Sequence, residues 1–180
     1  MAATLTKAML DKVFKGISHI YVVEPETITA TTFDGADEIF TLKDSVTFSQ
    51  AQPTKTEINV DQFTAPIAAT YEAGEFSIAA TVPSVAKEVL EYFYTKNATA
   101  VTPITGFASG VAIDLANKVI NVSLKMVNDS GDMAVVIPRC EIIANMDWSD
   151  TSTSAFGQAL TITPKVNPDN TGDVLFYYKS

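Results

Sequence analysis

The chain has 180 residues, 47% of them apolar and 18% charged, which fits one globular domain with a real core and excludes both a disordered chain and two ordinary domains. The net charge of −9 is uneven: three Lys against one Asp leave the first 15 residues at +2, and nine Lys/Arg against twenty Asp/Glu leave the other 165 at −11. Such an acidic body lacks the basic patches that grip nucleic acid, although it can repel phosphate and so prevent sticking.

The N-terminal stretch MAATLTKAMLDKVFKG lacks the charged-then-apolar order of a signal peptide, because Lys7, Asp11 and Lys12 interrupt it. The expectation is a chain made and kept in a cytosol, or released by a non-secretory route. No apolar run approaches the ~20 residues of a membrane-spanning helix, so no membrane insertion is expected. Leu5, Met9 and Val13, with Leu10 and Phe14, fall at helical spacing over residues 4–15, with Thr4 or Thr6 as cap and Gly16 as terminator. Residues 1–16 therefore read as a helix or arm, docked on the body or ordered only against a neighbour. Residues 17–180 read as a single β domain.

Strands are expected over 17–23, 27–33, 38–42, 45–50 and 54–61, broken by Glu-Pro, Asp-Gly and Gln-Pro signals. The last of these has one wholly polar face. Lys55, Glu57, Asn59 and Asp61 point one way, and Thr56, Ile58 and Val60 the other. Such a strand faces bulk water or lines a polar cavity. Residues 62–73 read as a long connection with little apolar pattern. EFSIAATV (75–82) alternates again, with Phe76, Ile78, Ala80 and Val82 on one face.

The clearest helix is PSVAKEVLEYFYTKN (83–97), helical over about 84–96. Ser84 is its candidate N-cap, and Ala86, Val89, Leu90, Phe93 and Tyr94 form its apolar stripe. A Pro- and Gly-marked loop follows over 98–110. Two long strands, 111–127 and 132–148, are joined by the tight turn NDSGD. In the first, Ile120, Val122, Leu124 and Met126 oppose Asn121, Ser123 and Lys125. In the second, Val136, Cys140, Ile142, Ala144, Met146 and Trp148 oppose Arg139, Glu141, Asn145 and Asp147. A polar linker over 149–158 precedes ALTITPKV and DVLFYY, which close the chain.

No catalytic set can be assembled, and no cofactor or metal is expected. His19 is the only histidine and Cys140 the only cysteine, so a multi-His metal site and an internal disulfide are excluded, and no partner set for a His-based triad is read around His19. His19 in its apolar strand reads as a satisfied core or interface residue, and Cys140 as a buried thiol. There is no Gly-rich phosphate loop. NDSGD and DNTGD share calcium-loop composition without the spacing or closing Glu of an EF-hand, so turn chemistry explains them. The Asn-x-Ser/Thr triplets at 97, 121 and 128 are expected by chance in a Ser/Thr-rich chain.

The order of pieces is more specific. Residues 46–95 run VTFSQAQPTKTEINVDQFTAPIAATYEAGEFSIAATVPSVAKEVLEYFYT. They comprise a strand pair ending in Thr-Glu-Ile, a long loop with a TAPI turn, an aromatic-containing strand, a proline and an amphipathic helix. A hairpin follows whose second strand is VVIPRCEIIANMDWS, then a Ser/Thr-rich bridge and a final strand. This order resembles the major tail tube proteins of tailed bacteriophages and their relatives in contractile injection devices, from about residue 17 to 178.

The resemblance implies a mainly β subunit, an antiparallel sandwich or barrel-like fold with one central helix. It implies a virion structural protein, assembled in the bacterial host cytoplasm, that forms stacked, hexameric rings around a lumen for DNA. Its partners would be copies of itself, the tape measure, terminator and tail-end proteins, and DNA that passes without specific binding. Lys55, Glu57, Asn59, Asp61, Glu75, Ser77, Thr81, Asn121, Ser123, Lys125, Arg139 and Glu141 would then line an acidic lumen. Val85, Ala86, Val89, Leu90, Phe93 and Tyr94 would pack the helix near a subunit junction, with Val136, Ile142 and Trp148 on the apolar side. Gln62, Phe63, Thr64, Ala65, Pro66 and Ile67 would contact the next ring. The alternative is a monomeric β-sandwich binding or decoration module, in which the polar strand faces are ordinary solvent faces and an aromatic patch is exposed.

Overall fold

A computed structural model of the chain describes residues 14–24, 26, 33–59, 61, 64–98, 101–147, 156–168 and 172–179. The expected helix over 4–15 falls outside them up to residue 13, as do the expected strand at 27–32, Val60, Gln62, Phe63, Trp148 and most of the linker over 149–158.

The described chain is mainly β, with one helix. In order the elements are β1 (His19–Val23), β2 (Asp37–Glu38), β3 (Thr47–Gln50), β4 (Thr54–Ile58), β5 (Ala68–Glu72), β6 (Phe76–Val82), α1 (Lys87–Phe93), β7 (Tyr94–Lys96), β8 (Ile113–Asn117), β9 (Val119–Val127), β10 (Met133–Asp147), β11 (Gly157–Pro164) and β12 (Leu175–Tyr178). An antiparallel sheet of eight strands runs β2-β1-β9-β10-β11-β6-β3, with β12 also paired to β10. It is open, ending on β2 and β3 rather than closing on itself. β4-β5 and β7-β8 are separate two-stranded ribbons.

One face of the large sheet carries the core. The alternation of β9 places Ile120, Val122, Leu124 and Met126 there, joined by Ile20 and Val22, Ile142 and Ala144, Leu160 and Ile162, and Ile78, Ala80 and Val82, all buried. Burying each larger aliphatic side chain stabilises by ~1.5–3 kcal/mol, so this face dominates the fold's stability. It is covered by Phe93 and Tyr94 at the end of α1 and by half-buried Val89, Leu90, Phe14, Ile17, Ile39, Val46, Ile113 and Val174.

Three expectations are corrected. The helix is shorter than 84–96. Ser84 does not cap it: the Ser84 hydroxyl accepts from the Ala86 N–H at 3.2 Å, and α1 starts after Ala86 without a side-chain cap. It ends because Tyr94 turns extended (φ −122°, ψ 159°) to pair with β8, so strand pairing overrides the helical periodicity. The connection over 62–73 contains a strand, β5, paired residue by residue with β4. It left no apolar pattern because both faces of that ribbon are exposed. Finally, Val136 does not share a face with Cys140. A bulge between Ile137 and Cys140, at Pro138, resets the parity. Val135 and Ile137 take the core positions, while Val136 pairs with Lys125. Proline has no N–H for the ladder and is tolerated within strands at such bulges.

Candidate functional site

Antiparallel partners share a sheet face, so the pairing registers sort the singled-out polar residues. Lys125 pairs with Tyr21, Asn121 with Glu141, Glu141 with Thr163, Thr81 with Ala159, and Ser77 with Ser49. Ser77, Thr81, Asn121, Ser123, Lys125 and Glu141 therefore lie on one face, opposite the core, and Arg139 at the bulge reaches the same side. Thr161, Thr163, Asn145 and Thr47 extend this face across β11, β10 and β3. Its hydroxyl and amide side chains are interspersed with Tyr21, Val23, Val119, Val136 and Ile143, and of the polar ones Thr47, Asn121, Asn145 and Thr161 are exposed.

Its charges are largely matched. Glu26 accepts from Arg139 at 2.7 and 3.1 Å and from Lys165 at 3.2 and 3.3 Å, and Lys165 also donates to Asn121 at 2.9 Å. Arg139 further donates to the Val166 carbonyl at 3.0 Å. Burial pushes the Glu26 carboxyl up, but the hydrogen bonds and charges of Arg139 and Lys165 outweigh it and hold the group below its ordinary value. The Lys125 ammonium lies over the Tyr21 and Phe33 rings, at 5.1 and 5.5 Å from their centroids. Lys125, Arg139 and Lys165 thus stand against Glu26, Glu141, Asp147 and Glu38, which pairs opposite Tyr21, so carboxylates outnumber cations on this face. Ser123 does not face solvent. It is buried and donates to the Pro138 carbonyl at 2.6 Å, which ties β9 to the bulge.

Lys55, Glu57, Asn59 and Asp61 are elsewhere. They belong to the β4-β5 ribbon and the start of its loop, where Lys55 and Glu57 form an ion pair on the surface. Ile58 and Tyr71 of the ribbon are 52% and 67% exposed, so neither of its faces packs on the core. The ribbon nevertheless continues the β3-β6 ladder in the same register. Gln50 pairs with Phe76, the Ala51 N–H donates to the Glu75 carbonyl at 2.9 Å, and Thr54 pairs with Glu72. Gly74 permits the close approach at this joint: a Cβ there would sit 1.8 Å from the Ala51 carbonyl oxygen. At ~3.3 Å per residue, five further pairs make an arm extending ~17 Å from the sheet. Thr64, Ala65, Pro66 and Ile67 lie in the loop at its end, with the Ile67 N–H closing on the Ile58 carbonyl at 2.9 Å.

Of the helix residues, Phe93 and Tyr94 are buried, Val89 and Leu90 half-buried, and Val85 and Ala86 exposed ahead of α1. The Tyr94 hydroxyl donates to Gln158 Oε1 at 2.6 Å, and Gln158 Nε2 to the Ser84 carbonyl at 3.4 Å, a buried polar link between α1 and β11. Sequence reasoning did not find Glu26, Lys165 or Gln158 as partners, since each acts through a contact distant along the chain.

His19 lies at the surface, with its Nδ1 2.5 Å from Glu38 Oε1 and its ring stacked on Tyr21. Cys140 is fully buried, which pushes its thiol up to about 12, and its Sγ lies 3.4 Å from the Val122 carbonyl. In NDSGD the side chains engage one another: Asn128 donates to Ser130 and Asp132 and accepts from the N–H groups of Asp132 and Met133. Among the described residues no group of three or more His, Cys, Asp or Glu side chains is placed to hold a metal. No described helix is long and apolar enough to cross a membrane. Neither a protein-family model nor a curated protein matches this chain.

Proposed function

We propose that this protein is a structural subunit of a phage tail tube, assembling through a sandwich- or barrel-like arrangement into stacked, hexameric rings that conduct DNA. The observation that carries this reading is the pairing of one long polar sheet face with an open sheet edge. On β3 the outer edge has no strand partner among the described residues, and all four of its residues are exposed. Such an edge invites pairing with another chain. Closing several open sheets edge to edge would produce a barrel whose inner face mixes Ser, Thr and Asn with paired charges and a few apolar side chains. A wall whose Arg139 and Lys165 are held by Glu26, and whose carboxylates outnumber its cations, offers phosphate little to hold. The β4-β5 arm, with Thr64–Ile67 at its end, would reach an adjacent ring.

A second reading is favoured by one observation. Phe176 and Tyr178, on one face of β12, are both exposed, the aromatic patch expected of a monomeric binding module. The two readings separate in negative-stain electron microscopy and light scattering over a concentration series. Rings or hollow tubes are the expected result, and a strict monomer at every concentration would give the binding module precedence.

A further inference from the structure

The core face of the large sheet is open at one end. A groove of about 670 Å³ lies there between β1 and β3. Ile20 is its buried floor, Phe14 and Val46 are half-buried along it, and Phe40, Leu42 and Phe48 are 72%, 46% and 42% exposed. Phe48 pairs with Ile78 and so belongs to the core side of the sheet, not to the polar side. Lys43, Asp44 and Asp129 bring the charges of the groove.

Phe14 is where the described chain enters this groove. It packs half-buried against the core, with its ring edge-on to Phe48 at 6.4 Å between centroids. The residues after it are pinned in place. The Lys15 carbonyl accepts from the Asp129 N–H at 3.4 Å, and the Ser18 N–H donates to the Val127 carbonyl at 2.9 Å. Gly16 has φ +67°, the left-handed conformation in which helices commonly end just past their last turn. Asp129 lies against it so closely that a Cβ on residue 16 would sit 1.9 Å from its Oδ2.

We propose that this groove is the seat of residues 4–13 of the same chain, held as a helix that ends at Gly16. Register and tether select this occupant. Leu10 precedes Phe14 by four residues, so a helix running into Gly16 stacks Leu10 one turn before Phe14 on the same face. Leu5, Met9 and Val13 widen that stripe, and Phe14, its last member, already lies in the groove. A helix this short is marginal in water without an apolar surface to pack on, and the groove supplies one. A cavity of ~150 Å³ suffices for benzene, so this one has room for several aliphatic side chains. No linker separates the segment from Phe14, so its local concentration is on the order of millimolar; the same segment of a second copy competes only at a comparable protein concentration. Charge does not oppose the docking. The segment carries Lys7 and Lys12 against Asp11, and the groove Asp44 and Asp129 against Lys43. The inference concerns the single subunit and is independent of the ring reading.

Hydrogen–deuterium exchange tests it on full-length protein, at a concentration where sedimentation shows a monomer. The amides of residues 7–13 should exchange at least roughly tenfold more slowly than in an unstructured peptide. Phe40→Asp and Phe48→Asp, both at exposed positions of the groove, should each abolish that protection while the amides of β9 and β10 keep theirs. Exchange at the unstructured rate in wild type would overturn the proposal, and so would protection that neither substitution lowers. A chain carrying both Leu10→Cys and Phe48→Cys, oxidised mildly with the Cys140 thiol buried, should form a disulfide within the monomer. A disulfide-linked dimer in its place would give the groove to the segment of a second copy. No disulfide in a chain whose residues 7–13 are protected would put the helix elsewhere. Either result overturns the docking within one chain.

Discussion

At the residue scale, the informative side chains are polar ones whose partners lie far along the chain. Tyr94 and Gln158 are 64 positions apart and meet in a buried hydrogen bond. Tyr94→Phe leaves Gln158 Oε1 without that donor, so unfolding free energy should fall by about 1–3 kcal/mol. Adding Gln158→Leu should recover part of the loss; additive costs in denaturant titrations would remove the coupling. Glu26 gives a pH signature. Its folded carboxyl is held below the ordinary value of 4.5, so its contribution is present above that value and disappears as pH falls through the lower, folded one. Glu26→Gln should therefore be less stable than wild type at pH 7, with the gap narrowing as pH drops below about 4.5. A gap that stays constant down to pH 2.5 would show that the carboxylate is not the group that matters. None of these partners was legible in the sequence. His19 was expected in a core or at an interface; it is not in the core, since it is exposed, paired with Glu38 and stacked on Tyr21.

At the element scale, legibility followed burial. In β6 and β9, where one face packs on the core, the two-residue alternation identified both the strand and its inward face. The same rule failed in β10 once Pro138 introduced a bulge, which reversed the parity of Val136. It was silent for β5, whose residues face water on both sides. The helical stripe was sound through Phe93 and then stopped, because Tyr94–Lys96 gain more from pairing with β8 than from another helical turn. The arm depends on a single small residue. Gly74→Ala should force Ala51 and residue 74 apart, since the added Cβ meets backbone rather than a movable side chain. The expected result is a loss of about 1–3 kcal/mol and faster amide exchange at Ala51, whose N–H donates across the joint. Wild-type protection of that amide would mean that the arm does not continue the β3-β6 ladder.

At the scale of the whole molecule, charge and shape act together. A subunit carrying −9 repels its copies, and that repulsion is screened over ~10 Å at 0.1 M salt. If copies assemble through apolar and backbone contacts, the assembly concentration should fall as sodium chloride rises from 20 to 300 mM, as read by sedimentation velocity. A rise would point to contacts made by opposite charges. By itself the sequence determined that the chain is acidic, largely β and limited to one histidine and one cysteine. It also determined the alternating faces of the strands that pack on one side, because composition and local periodicity are properties of neighbouring residues. Only the tertiary structure decided that the sheet stays open, that β4-β5 stands clear of it as an arm, and that Arg139 and Lys165 share Glu26 as partner. Each of those depends on which distant segments come to lie side by side, and pairings over long separations leave no period in the sequence that produces them.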